Sequence, residues 1–96
     1  MRFNRIAVAD KYAKIAEAMG KDIRGLSVRE EASLKAIEAV KELLEDLDMP
    51  RRLKDIGVKE EDLPEIAKRT IQTVEIPGNP RTMTEKDLLN ILEAVY

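Results

Sequence analysis

Apolar positions return at spacings of three and four along most of this chain, and glycine or proline falls where the rhythm stops. Over residues 9–19 the pattern puts Tyr12, Ile15, Ala16 and Met19 on one face, and Gly20 supplies a left-handed stop. Residues 21–26 read as a connector with Gly25 as a second breaker. Ser27 opens the strongest helix, which runs to about Leu47. Ser27-Val28-Arg29-Glu30 has the form of a capping box, in which serine and glutamate each satisfy an amide of the first turn. Its stripe is Leu34, Ile37, Val40, Leu44 and Leu47, widened by Ala36 and Leu43, with Glu31 and Lys35 placed to pair one turn apart. Pro50 ends it, because the residue before a proline avoids helical angles.

The second half repeats this logic. Residues 51–56 predict a short helical turn closed by Gly57. The acidic triplet Glu60, Glu61 and Asp62 suits a helix start, which puts Pro64 in the first turn and Leu63, Ile66, Ala67, Thr70, Ile71 and Val74 on the core face. Thr84 caps the last helix with Asp87 three residues on. Met83 is placed to staple onto Leu88, and the apolar face is Leu88, Leu89, Ile91, Leu92 and Val95. No stretch alternates with period two over strand length. The expected fold is all-α: one compact helical domain over residues 1–96, a bundle of four main helices and one short one.

Composition narrows the function more than it identifies it. Seventeen basic and 19 acidic residues leave a net charge of −2, which gives no footprint for nucleic acid or an anionic membrane. No apolar run reaches the length of a membrane span, and the amino terminus lacks the apolar core of a signal peptide, so a cytoplasmic protein is expected. Cysteine and histidine are both absent, which removes thiolate and imidazole ligands and the commonest general base. The carboxylates Glu30, Glu31, Glu60, Glu61, Asp62, Glu85 and Asp87 fall on polar faces or in first turns, where a solvated acid already favours the helix. Arg51, Arg52 and Lys54 make a small basic cluster without aromatic neighbours, and they read as a solvated helix end. From the residues alone, no reactive site emerges.

The corner over residues 75–83 is more elaborate than a bundle needs: Pro77-Gly78, then Asn79-Pro80-Arg81, then a capped helix. Taken with other pieces, it carries a resemblance. MRFN, DKYAKIAEAMG, AIEAVKELLEDLDMPRRLKDIGVKEEDLPEIAK, and Asn79-Pro80-Arg81 followed by Thr84-Glu85-Lys86-Asp87 occur in the order and spacing of one family. They resemble the carboxy-terminal part of the iron-containing (group III) alcohol dehydrogenases. The resemblance implies a parent enzyme that moves hydride between an alcohol or aldehyde and NAD(P). In it, an α/β domain binds the cofactor, and a helical domain holds a divalent metal, usually iron, through one Asp and three His. Without histidine, this chain cannot carry that ligand set, so no catalytic, cofactor-binding or metal-binding residue transfers and the chain alone is expected to be inactive. What transfers is the corner: Glu75, Ile76, Pro77 and Gly78 would line the substrate side of the parent's cleft. The expected partners are the rest of such a dehydrogenase or further copies of this chain, with no nucleic acid and no membrane. The alternative is a free-standing helical interaction or oligomerisation module without catalysis.

Overall fold

Alanine, more than leucine, decides how the first half of this chain packs. The computed structural model describes residues 1–73 and 78–96. It contains four α-helices: α1 (Ala9–Ala18), α2 (Ser33–Asp46), α3 (Leu63–Thr73) and α4 (Glu85–Ala94). No strand occurs among the described residues, and the all-α expectation holds. Short 3-10 turns at Arg5–Val8, Leu53–Ile56 and Glu60–Asp62 add to the helices. The chain divides into two compact units, Met1–Met49 and Pro50–Tyr96.

In the first unit α1 packs on α2. The buried stripe of α1 is Ala9, Ala13 and Ala16, whereas Tyr12 is half-buried and Ile15 and Met19 are exposed. On α2 the buried residues are Ser33, Ala36, Ile37 and Ala39; Val40 and Leu44 are half-buried, and Leu34, Leu43 and Leu47 are exposed. The expected faces were read from side-chain size and sit about one position away from the true seam. Small side chains let two helix backbones come close, and the bulky residues beside them are carried to the rim.

Both ends of this helix pair are tied. Arg5 donates from Nη1 to the Arg29 carbonyl at 2.7 Å and to Ser33 Oγ at 3.1 Å. Lys21 Nζ meets both carboxylate oxygens of Glu42 at 2.6–2.7 Å. Start is thus joined to start and end to end, so the helices run in the same direction. The connector must travel back along α1, about 15 Å for ten helical residues, and an extended run at about 3.3 Å per residue covers it. Ile23 and Leu26, both half-buried, lie on that return.

Both helices of this pair stop in the same way. After α1, Gly20 has φ 86°, Gly20 N–H donates to Glu17 O, and Lys21 N–H donates to Ala16 O, each at 3.0 Å. That is a Schellman closure, and it needs the left-handed region. After α2 the same two bonds run from Asp48 N–H to Glu45 O and from Met49 N–H to Leu44 O, again at 3.0 Å. There the left-handed residue is Asp48, at φ 52°, the only described non-glycine with positive φ.

The start of α2 departs from expectation. The first turn, Val28–Ala32, is a π turn, one residue wider than an α turn. Ala32 N–H reaches back to Ser27 O at 2.9 Å. The wider turn moves the capping carboxylate by one position: Glu31 Oε2, not Glu30, accepts from Ser27 N–H at 3.0 Å. The Ser27 hydroxyl makes no cap bond. Glu31 is therefore committed to the cap, and Lys35 pairs with Glu38 at 2.9 Å instead.

The second unit follows the sequence more closely. Leu53–Ile56 forms the expected short turn, and Gly57 closes it at φ 88°. Pro64 sits in the first turn of α3. Leu63 and Ala67 are its buried residues, with Ile66, Thr70 and Ile71 half-buried. The expectation for Val74 lies outside the described residues. α3 packs against α4. Leu88, Leu89, Ile91 and Leu92 on α4 are half-buried, and Val95 is exposed. The carbonyls of Val95 and Tyr96 accept from Leu53 N–H at 2.9 Å and Lys54 N–H at 3.4 Å, which ties the end of α4 to the short turn.

Candidate functional site

Of the four residues expected to line a cleft, Glu75, Ile76 and Pro77 lie outside the described residues, and Gly78 is an exposed turn residue. The rest of the corner is built by side chains acting on nearby backbone. Asn79 Nδ2 donates to the Arg81 carbonyl, closing a bend around Pro80. Proline fixes φ there and withholds a donor the bend does not use. Asn79 and Met83 are half-buried, whereas Pro80, Arg81 and Thr82 are exposed.

Thr84 then caps α4 in the way its spacing predicts. Asp87 N–H donates to Thr84 Oγ1 at 3.1 Å, and Thr84 N–H donates to Asp87 Oδ2 at 3.0 Å, a complete capping box. The Thr84 hydroxyl also donates to Asp87 Oδ2 at 2.9 Å. These bonds, the backbone amide first, hold the Asp87 carboxyl below its ordinary range. The corner thus presents a closed bend and a capped helix start.

Elsewhere the shifted groups are exposed ion pairs. Arg24 lowers Asp22, Lys35 lowers Glu38, and Arg69 lowers Glu65 through 2.7–3.0 Å side-chain bonds. Burial raises the Tyr12 phenol, whose hydroxyl donates to the Met1 carbonyl at 3.2 Å. No three acidic side chains come together as a metal site among the described residues. With neither histidine nor cysteine in the sequence, the donor set present does not fit an iron centre.

The polar cluster that sequence reasoning missed is Arg5, Ser33 and the Arg29 carbonyl. Ser33 is fully buried and donates to Arg29 O at 2.8 Å. Its signal was a serine inside an apolar stripe with an arginine upstream. The cluster fastens the amino-terminal segment to α2.

Comparison with known proteins supplies what the geometry does not. The Fe-containing alcohol dehydrogenase family, C-terminal, matches residues 1–96. Lactaldehyde reductase of Escherichia coli (strain K12) is 38% identical over 96 residues, covering 100% of this chain and 25% of that protein. A 1,3-propanediol dehydrogenase of Citrobacter freundii is 39% identical over 95 residues, covering 99% of this chain and 24% of its own length. The crystal structure of a 1,3-propanediol oxidoreductase superposes with a TM-score of 0.92 at 39% identity, over 99% of this chain and 25% of that one. The chain therefore spans about a quarter of the length of the relatives it matches. With the family match over all 96 residues and the close superposition of its helices, the chain belongs to the Fe-containing alcohol dehydrogenase family through its C-terminal part.

Proposed function

We propose that this chain is the C-terminal helical lobe of an NAD(P)-linked alcohol or aldehyde oxidoreductase and that it performs no turnover alone. The observation that carries the reading is the family match over all 96 residues, in a chain one quarter the length of its relatives. The relatives' names point to small alcohols and aldehydes as the substrate class. Donors for a metal and the pocket for a nicotinamide would come from outside these 96 residues, since no residue set here fits either. In the whole enzyme the corner that includes Glu75, Ile76, Pro77 and Gly78 would line the substrate side of the cleft. A cytoplasmic setting accompanies this reading; among the described residues no helix is long and apolar enough to cross a membrane.

The test is an NAD(P)H-linked assay on the purified chain with lactaldehyde or 1,3-propanediol, with and without iron. No turnover is expected. Turnover by the chain, free of any full-length enzyme, would overturn the proposal. The role of the corner is tested in a full-length relative: exchanging its segment for residues 75–78 of this chain should move KM more than kcat.

One observation favours a second reading, an interaction module without chemistry. Leu47 and Ile56 are 61% and 64% exposed, the most among the large apolar residues described. Light scattering tests this reading: association of the chain would support it, and a monomer at all concentrations would count against it.

A further inference from the structure

The start of α2 has two sets of contacts open to one sequence, and it makes one of them. In the observed set the turn Val28–Ala32 is wide. Ala32 N–H reaches Ser27 O at 2.9 Å and Ser33 N–H reaches Val28 O, each five residues back. Glu31 caps Ser27 N–H at 3.0 Å, and Lys35 pairs with Glu38. The other set is the one an α turn would make. There Ser33 N–H would serve Arg29 O, Glu30 would stand at the third helical position to cap Ser27, and Glu31, released, would face Lys35 one turn on. Glu30 is now exposed, 3.9 Å from Arg29 Nε, a loose surface contact.

A π turn is rarer than an α turn, so something must favour it here. Turning Ser33 N–H to Val28 O takes from Arg29 O the amide that an α turn would give it. Two side chains stand in that amide's place. The fully buried Ser33 donates from Oγ at 2.8 Å, and the half-buried Arg5 donates from Nη1 at 2.7 Å. Arg5 Nη1 also reaches Ser33 Oγ at 3.1 Å, so serine and arginine hold one another on the carbonyl. A hydrogen bond from a guanidinium is roughly twice as strong as a neutral one. Its source is the amino-terminal segment, 24 residues before the carbonyl it holds.

We propose that Arg5 is a strap that selects the register of the first turn of α2. While it is in place the turn is wide and capped by Glu31. When it lets go, the same residues close into an α turn capped by Glu30. The change advances Val28–Glu31 by one helical position, about 100° around the axis and about 1.5 Å along it. The amino-terminal segment thereby governs how the connector enters α2. The inference stands apart from the dehydrogenase reading, because it concerns bonds inside the first unit only.

NMR of the full 96-residue chain tests it, through the scalar couplings that cross hydrogen bonds and identify the carbonyl each amide uses. In the unaltered chain Ser33 N–H should couple to Val28, and Ala32 N–H to Ser27. In Arg5→Ala, Ser33 N–H should couple to Arg29, and Ala32 N–H to Val28. Thermal melts give a second readout. Glu31→Ala should lower the melting temperature more than Glu30→Ala in the unaltered chain, and the order should reverse in the Arg5→Ala background. An Arg5 that merely supports the fold would lower every melting temperature and leave that order as it was. If circular dichroism shows that Arg5→Ala does not fold, Ser33→Ala removes the other donor to the carbonyl and should move the same couplings. Couplings that stay in place in the folded variant would overturn the proposal, as would an order that does not reverse. Loss of every coupling from residues 31–33 would sink it too, because the turn would then fray without a second register.

Discussion

The two units are made of similar material and bury different parts of it. In Met1–Met49 the buried set is alanine, one serine and Ile37: Ala9, Ala13 and Ala16 on α1, with Ala32, Ser33, Ala36, Ile37 and Ala39 on the α2 side. In Pro50–Tyr96 only Leu63 and Ala67 are buried among the described residues, while the larger residues of α3 and α4 remain half-covered. The difference teaches that burial follows how closely backbones approach, and side-chain hydrophobicity alone does not set it. A seam of alanines is closed by its own two helices. Apart from Leu63, the leucines and isoleucines of α3 and α4 keep the helices further apart and stay half-covered. Each unit is also below the size at which a single core is comfortably self-sufficient.

The largest effect that would sharpen this contrast is at Leu63, which is 1% exposed. Leu63→Ala should destabilise the second unit by about 2–5 kcal/mol, whereas Leu47→Ala, at a 61% exposed position, should stay within about 0.5 kcal/mol. Urea unfolding of both variants makes the comparison, and equal costs would break it. Next in size is an insertion into the close seam. Ala16 is fully buried, so Ala16→Leu should cost about 1–3 kcal/mol or more, while Ile15→Leu beside it should be nearly silent. A tolerated leucine at position 16 would mean that the helices are not held close.

Thr84→Ala removes the hydroxyl half of the α4 cap and should cost about 1 kcal/mol in thermal unfolding. The Asp87 half adds a pH dependence with a definite sign. Its carboxyl is held below its ordinary value in the folded chain, so its stabilising contribution is present above the unfolded carboxylate range, about pH 4. That contribution is lost as pH falls through the lower folded value. The melting temperature of Asp87→Asn should therefore lie below that of the parent at pH 7 and approach it as the solution is acidified below the ordinary carboxylate range. A constant gap would deny the cap its charge. The smallest effect has the opposite direction: Asp48→Gly should stabilise by about 0.5–1 kcal/mol, because glycine takes the left-handed closure of α2 without strain.

The sequence made the punctuation of this fold readable. Gly20, Gly57, Pro64 and the Thr84–Asp87 box each act through local backbone geometry, and each is found where its neighbours placed it. Which face is buried was less readable, because Ala13 and Ile15 compete for the seam and only the partner helix decides between them. The π turn at Val28–Ala32 was not readable at all: Ser27-x-x-Glu30 and Ser27-x-x-x-Glu31 are both present, and the wider turn selects the second. The expected cleft lining behaved differently again. Glu75–Pro77 lie outside the described residues, and the neighbouring Asn79 bend and Thr84 cap satisfy nearby backbone groups. Function was readable only as family, because no motif in the sequence and no cluster among the described residues forms a reactive site.

The central claim is that the alanine seam makes the first unit the more tightly packed of the two, whereas the described residues of the second bury only Leu63 and Ala67. Residue-resolved amide hydrogen exchange on the native chain tests it most directly. The account predicts the highest protection in α1 and α2, at Ala13–Ala16 and Ala36–Val40, with α3 and α4 opening at distinctly lower free energy. Equal protection in all four helices, or greater protection in α3 and α4, would contradict it.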